Sequence, residues 1–389
     1  MSYDLDTLRA REFPWAARGD AIYLNNASSG PLPRRTVEAS AAFTALRAEP
    51  YRLGDSIQFD TLRRSRELAA TLIGASPGEI ALMVNTTYGI NLAARALPFA
   101  PGDVVLTHDR EFPANIYPWM ALERQGVRLE RVPCRGALPD EAALLAAMDR
   151  PHVRAVTLSW VSFATGYRAD LETIGRACHE RGLFFIVDAI QGLGAARVDV
   201  KACHIDVMAC GAQKWLLSPW GSGFVYVRDA LVRQLEPSVV GWMAMRASED
   251  FSRLVDYDYA FHDDARRFEV ITVPFQDFAG FNASAELLLE LGPEQVERHV
   301  RELVDHAVEW AARRRDMRLV TPADPACRAG IVSIAPRDPE AASARLKAAR
   351  VSHSLREGAI RLSAHCYNTH EEVERALAVL AGGEGARSG

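Results

Sequence analysis

A lysine, an aspartate and a pair of threonines stand where three apolar runs of the sequence end. They are the residues best placed to do chemistry. Lys214 lies between a β-prone run over 207–210 and the turn-forming stretch Ser218-Pro219-Trp220-Gly221-Ser222-Gly223, with Trp215 and Leu216 beside it. A lysine drawn partly out of water loses proton affinity and becomes an amine nucleophile, whereas most lysines stay solvated on the surface. Asp188 directly follows Phe184-Phe185-Ile186-Val187. A carboxylate at the edge of a buried strand needs a cationic or donor partner, and an arginine or a protonated ring nitrogen would each serve. Thr86 and Thr87 precede Tyr88, Gly89 and a helix expected from near Ile90. Their hydroxyls and backbone N–H groups would sit at a helix N-terminus, which attracts phosphate, although threonine also caps helices that bind nothing. Each residue alone has an ordinary explanation. Taken together they supply a phosphate anchor, a partner for a ring cation and an amine able to form a Schiff base.

The elements that must hold these residues follow from the hydropathy pattern. Short β-prone runs over 80–84, 104–107, 128–132, 155–159, 183–187, 207–210 and 223–227 alternate with helical stretches such as 90–97 and 171–181, the latter closed by Gly182. That alternation predicts an α/β fold: a mostly parallel seven-stranded sheet flanked by helices. Ligands of such sheets bind outside the carboxyl ends of the strands, where all three candidate positions fall. Beyond residue 227 an irregular stretch carries Tyr257, Tyr259, Phe261, His262, Asp263 and Asp264, and reads as a connecting or substrate-facing segment. Helices over 277–291 and 294–315 come next, then short elements over 331–335, 339–349, 351–355, 360–363 and 370–380 that suggest a small α+β domain. The expected division is an N-terminal arm over 1–22, a large domain over 23–265 and a small C-terminal domain over 266–389. The tail from 382 onward is expected to be disordered.

Composition narrows the function classes. With 389 residues, 49% of them hydrophobic and 24% charged, the chain can bury a large core and a second, smaller one. A net charge of -5 leaves no basic surplus for a nucleic-acid backbone, so no nucleic-acid partner is expected. The first fifteen residues mix acids and bases without the apolar run of a secretory signal, and the most apolar stretch, 183–187, is far short of the ~20 residues of a membrane span. A cytoplasmic protein with no membrane association is the expectation. Six scattered cysteines without a C-x-x-C pair predict neither a metal site nor a disulfide framework. A dinucleotide oxidoreductase would need a third glycine after Gly192-Leu193-Gly194, and a serine hydrolase would need a G-x-S-x-G elbow that the chain lacks. A non-catalytic binding protein could share the fold, since fold does not fix function.

Several motifs, in order, carry a family resemblance. They are Tyr23-Leu24-Asn25-Asn26-Ala27-Ser28-Ser29, Asn85-Thr86-Thr87-Tyr88-Gly89-Ile90-Asn91, Glu111-Phe112-Pro113-Ala114-Asn115, Val187-Asp188-Ala189-Ile190-Gln191, Gly211-Ala212-Gln213-Lys214-Trp215, and Arg361-Leu362-Ser363 followed by Tyr367-Asn368-Thr369. The chain resembles the class V aminotransferase family of fold-type I pyridoxal 5′-phosphate (PLP) enzymes, which includes cysteine desulfurases, kynureninase-like lyases and isopenicillin N epimerase-like proteins. The resemblance implies PLP as cofactor, a small-molecule amino-acid substrate, and a reaction through a Schiff base and a carbanion at Cα. It assigns Lys214 as the cofactor lysine and later the Cα base, and Asp188 as partner of the pyridine nitrogen. Thr87 and Gln213, with Thr86 beside them, would hold phosphate. Gln191 would reach the pyridine hydroxyl, and Phe112 would stack on the ring. Arg361 resembles the arginine that grips the substrate carboxylate, with Arg356 and Asn26 as further substrate-binding candidates. Thr272 resembles a residue that reaches the phosphate of a neighbouring subunit, which implies a homodimer with shared active sites. Transamination, β-elimination as in a C–S lyase, and epimerisation all follow from the same carbanion. Many cysteine desulfurases carry His at the position of Gln213 and Asn at that of Phe163. Their catalytic cysteine lies on the loop that here spans 355–360 and contains none.

Overall fold

The computed structural model describes residues 3–252, 254–270 and 272–382; the expected disordered tail lies outside the described residues from 383 onward. Thirteen strands occur among them. β1 (Ile22–Tyr23), β2 (Ile80–Leu82), β3 (Val104–His108), β4 (Arg128–Val132), β5 (Val153–Ser159), β6 (Phe184–Asp188), β7 (Val207–Gly211) and β8 (Gly223–Val227) precede the small-sheet strands β9 (Met317–Leu319), β10 (Val332–Pro336), β11 (Val351–Ser352), β12 (Ser354–Arg356) and β13 (Ala359–Leu362).

The large sheet has seven strands in the order β2-β8-β7-β6-β5-β3-β4. β7, β6, β5, β3 and β4 run parallel, as the alternation of strands and helices demands. β8 is antiparallel to both of its neighbours, β7 and β2. Two reversals restore direction, so β2 ends on the same side as the parallel strands. That edge therefore collects Asn85, His108, Ser159, Asp188 and Gly211 at or just beyond strand ends. β6, β7 and β8 are buried along almost their whole length, which fits a central sheet covered on both faces.

The small sheet is antiparallel, in the order β12-β13-β10-β9. The expected single strand over 351–355 divides at His353: Val351 and Ser352 pair in parallel with Ile22 and Tyr23, while Ser354–Arg356 joins the β13 hairpin. The start of the chain is thus tied to the C-terminal elements. The helix Phe275–Leu291 packs on the helices Arg34–Ala48 and Asp55–Ile73. No helix among the described residues is long and apolar enough to cross a membrane, and no group of His, Cys, Asp or Glu there could hold a metal ion.

Candidate active site

The lysine loop leaves β7 at Gly211 and is fastened at both ends. Ala212 N donates to Ser222 O at 3.0 Å, Ser218 N to Ala212 O at 3.1 Å, and Leu217 N to Lys214 O at 3.1 Å. Leu217 takes a left-handed conformation, φ 54, which a bulky non-glycine residue adopts only when the surroundings hold it there. Gly30 lies against the loop from the other side. Its N donates to Gln213 O at 2.9 Å, and a Cβ there would come within 2.0 Å of Lys214 O, so only glycine permits this approach. The Lys214 backbone is clamped while its amine projects outward, 5.7 Å from the centre of the Phe112 ring.

Burial pushes the Lys214 amine down to about 8, and Arg361 pushes in the same direction while Asp188 opposes it. Asp188 sits opposite, 2% exposed at the end of β6. Burial pushes its carboxyl up to about 6, moderated by the hydrogen bond that Ile190 N donates to Oδ1 at 3.0 Å and by Lys214. Both groups have been moved toward neutrality by the same cause. An added cation beside Asp188 would restore its charge.

The phosphate end forms where β2 meets β7. The helix begins at Thr86, four residues earlier than its apolar spacing suggests, because Asn85 caps it by accepting from Tyr88 N at 2.9 Å. Thr86 is buried, and its Oγ1 accepts from Gly211 N at 2.8 Å, tying the helix to the lysine strand. Gly89 lets that helix lie close: a Cβ there would meet Ala209 Cβ at 2.7 Å. Thr87 is exposed in the first helical turn. Gln213 Oε1 and Thr86 Oγ1 both lie within 3.3 Å of the point where a Cβ on Gly211 would stand. Gln213 Oε1 is buried without a hydrogen-bond partner, a costly state that a ligand would relieve. Turned half a revolution, the same amide presents N–H donors there.

The substrate end is built by β13. Arg361 is 2% exposed, and among the described residues no carboxylate pairs with it. Its Nη1 donates to Phe163 O at 2.7 Å and its Nη2 to Ser28 Oγ at 2.8 Å, while Nε has no partner. Burial and Arg356 together push the guanidinium down to about 10. Phe112 meets Phe163 edge-on at 5.3 Å and is 42% exposed.

The other sequence candidates differ in how far their polar groups are already engaged. Gln191 is buried, donating to Ala27 O at 2.9 Å and accepting from Trp215 Nε1 at 3.0 Å, so one of its N–H bonds is left to give. Arg356 is exposed on the β12–β13 turn, its Nη1 donating to Leu355 O at 3.0 Å. Asn26 is fully buried with both ends of its amide occupied, donating to Ser363 O at 2.8 Å and accepting from Tyr367 Oη at 3.0 Å. Thr272 is exposed and accepts from Trp242 Nε1 at 3.1 Å.

Ser28 and Glu111 entered the sequence motifs without a role. Ser28 steadies the Arg361 guanidinium. Glu111 accepts from Ser159 N at 3.0 Å and from Ser159 Oγ, anchoring the Phe112 segment to the tip of β5. Burial pushes its carboxyl up to about 7. An acid placed immediately before the ring residue at a strand end was the available signal.

An open α/β sheet with a clamped lysine, a buried acid and a helix N-terminus at its carboxyl edge defines a fold-type I PLP-dependent enzyme. The family model "Aminotransferase class-V" matches residues 22–376, and the chain belongs to that family. It is 32% identical to a probable cysteine desulfurase of Methanothermobacter thermautotrophicus, over 72% of this chain and 70% of that protein. It is also 32% identical to isopenicillin N epimerase of Streptomyces clavuligerus, over 91% of this chain and 92% of the other. The apo structure of cysteine desulfurase from Thermococcus onnurineus NA1 superimposes with a TM-score of 0.85 at 25% identity, covering 98% of this chain and 99% of that one. The residues present fit PLP: the Lys214 amine, the Asp188 carboxylate and the partnerless Gln213 amide beside a helix N-terminus match the aldehyde, ring nitrogen and phosphate of that cofactor.

Proposed function

We propose that this enzyme binds an amino acid and labilises a bond at its Cα, with Lys214 as both the cofactor-bearing residue and the proton carrier. The observation that carries this reading is the position of the Lys214 amine, held at about 8 between the exposed Phe112 ring and the buried Asp188. A neutral amine near working pH can attack a carbonyl carbon and later hold the Cα proton on Nζ. PLP, when bound, supplies the electron sink that makes Cα acidic. Asp188 would hold a proton on the ring nitrogen, and Phe112 would cover the ring face. Thr86, Thr87 and Gln213 would hold the phosphate, and the remaining Gln191 N–H would serve the ring hydroxyl. Arg361 would fork onto the substrate carboxylate, with Arg356 near the entrance.

Three outcomes share this chemistry: transamination, β-elimination and epimerisation. Sulfur transfer onto a protein thiol is a fourth that the residues disfavour. The 355–360 segment, expected as a loop and found as the β12–β13 hairpin, has no cysteine, and Cys366 is fully buried with its thiol pushed up by burial. A homodimer in which Thr272 serves the partner's phosphate site belongs to the same reading. Exposed Trp220, Trp242, Tyr257 and Tyr259 give such an interface apolar surface to cover.

The test is to incubate the purified holoenzyme with a panel of amino acids and cysteine conjugates, following the cofactor spectrum and identifying products. A spectral change with release of a keto acid, an elimination product or the opposite enantiomer is expected. No response to any amino acid would end the proposal.

A further inference from the structure

Resting on that reading, we infer that the substrate is an amino acid whose side chain runs through an apolar section to a distal carboxylate, received by Arg110 and Arg318. A cleft of about 620 Å³ adjoins the Arg361 end of the site: Phe163, whose backbone oxygen accepts from Arg361, forms part of its wall. That volume far exceeds the needs of a small amino acid and falls within the usual range for sites that bury larger ligands. Phe163 and Val320 give the cleft apolar surface, and Arg110, Arg318 and Arg356 stand around it.

The three guanidiniums come from separate places. Arg110 follows β3, Arg318 lies within β9, and Arg356 ends β12. Among the described residues neither Arg110 nor Arg318, both exposed, has a hydrogen-bond or ion-pair partner for its side chain. Among the described residues the acids of the cleft form no ion pair with them. Glu111 is turned onto Ser159, Asp109 Oδ1 accepts from Cys134 N at 3.1 Å, and Glu357 is exposed on the turn beyond Arg356. Unengaged guanidinium forks that line one cleft are suited to a carboxylate, which can take two parallel N–H bonds from either of them.

Two probes of equal length isolate the charge: S-(2-carboxyethyl)-L-cysteine and its amide, S-(2-carbamoylethyl)-L-cysteine. Their dissociation constants are read from the absorbance change of the holoenzyme. The acid should bind roughly tenfold tighter than the amide at low ionic strength, with the advantage shrinking as salt is added, because exposed charges are screened. In the Arg110→Ala/Arg318→Ala double variant the ratio should fall close to one. Equal affinities in the wild type, or an undiminished preference in the double variant, would overturn the inference while leaving amino-acid binding intact. If neither probe nor L-alanine perturbs the cofactor spectrum, the amino-acid reading itself fails and takes the inference with it.

Discussion

Two of the buried polar clusters among the described residues treat their hydrogen bonds in opposite ways. At the seam between the amino-terminal arm and the last strands, every group is answered. Asn26 bridges Ser363 and Tyr367; Arg9 reaches Tyr367 O at 2.6 Å and Glu372 at 2.9 Å; Glu372 also accepts from Asn368 at 2.8 Å and from Thr369 N at 3.1 Å. At the carboxyl edge of the large sheet, groups are left wanting: Gln213 Oε1 and Arg361 Nε have no partner, and Lys214 and Asp188 are pushed toward their neutral forms. A saturated buried network gives rigidity and a defined geometry, whereas an unsatisfied one costs stability unless a ligand completes it. The contrast separates residues that hold the site from residues that act in it.

The widest separation is expected at Lys214. Lys214→Ala should lower turnover by about 10³-fold or more, since a positioned acid–base group contributes on the order of 10²–10⁴ and the proposed function has this one carry the cofactor as well. Thermal unfolding of the apoenzyme should shift little or upward, because the variant removes a charge from an unfavourable place. Borohydride reduction and peptide mapping would locate the cofactor on Lys214 in the wild type and on no residue in the variant. The amine also predicts a pH signature. Only its neutral form attacks an aldehyde, so the rate of PLP uptake by apoenzyme should rise about tenfold per pH unit below about 8 and flatten above it. A pH-independent uptake rate would contradict a depressed lysine.

Next in size is Arg361. Losing a charge-assisted fork on the substrate carboxylate should cost ~2–4 kcal/mol in transition-state stabilisation in Arg361→Ala. The effect should vanish when the amino acid is replaced by its decarboxylated amine. Equal loss on acid and amine would make Arg361 a scaffold residue and erase its place on the wanting side of the comparison.

Asn26 tests the saturated side. The motif around it suggested substrate contact, yet its amide is spent inside the chain. Asn26→Ala should therefore destabilise the fold by about 1–3 kcal/mol, the cost of stranding buried partners, and leave KM nearly unchanged. A large rise in KM with unaltered unfolding would return Asn26 to the substrate.

The sequence could show the sheet, Lys214 and Asp188 because their signals are local: an apolar run, a polar residue at its end, a turn. It could not show that Asn26 is spent, since Ser363 and Tyr367 lie more than 330 residues away. Nor could it place the start of the Thr86 helix, where the Asn85 cap and the bond to Gly211 override apolar spacing. The unpartnered state of Arg110 and Arg318 is likewise a property of three-dimensional neighbours. The order of β8 within the sheet depends on long-range pairing of the same kind.

The smallest effect is expected at Cys366, which sits at the border of the two clusters. Persulfide formation would need a thiolate able to reach the substrate sulfur, and burial pushes this thiol up, away from the thiolate. Its backbone is held as well: Cys366 N donates to His365 Nδ1 at 2.6 Å, and Tyr3 Oη donates to Cys366 O at 2.7 Å. Neither contact leaves the segment free to swing into the site. Cys366→Ala removes one buried sulfur and should cost about 1 kcal/mol or less of stability, in line with losing a small apolar group. Turnover of amino acids should stay within about twofold of wild type, because a carbanion at Cα can expel a β-substituent or be reprotonated without any thiol. Mass spectrometry of the wild-type protein after cysteine treatment should find no added sulfur on Cys366. A substrate-derived persulfide there, lost together with activity in the alanine variant, would move Cys366 from the scaffold to the chemistry and make sulfur transfer the reaction.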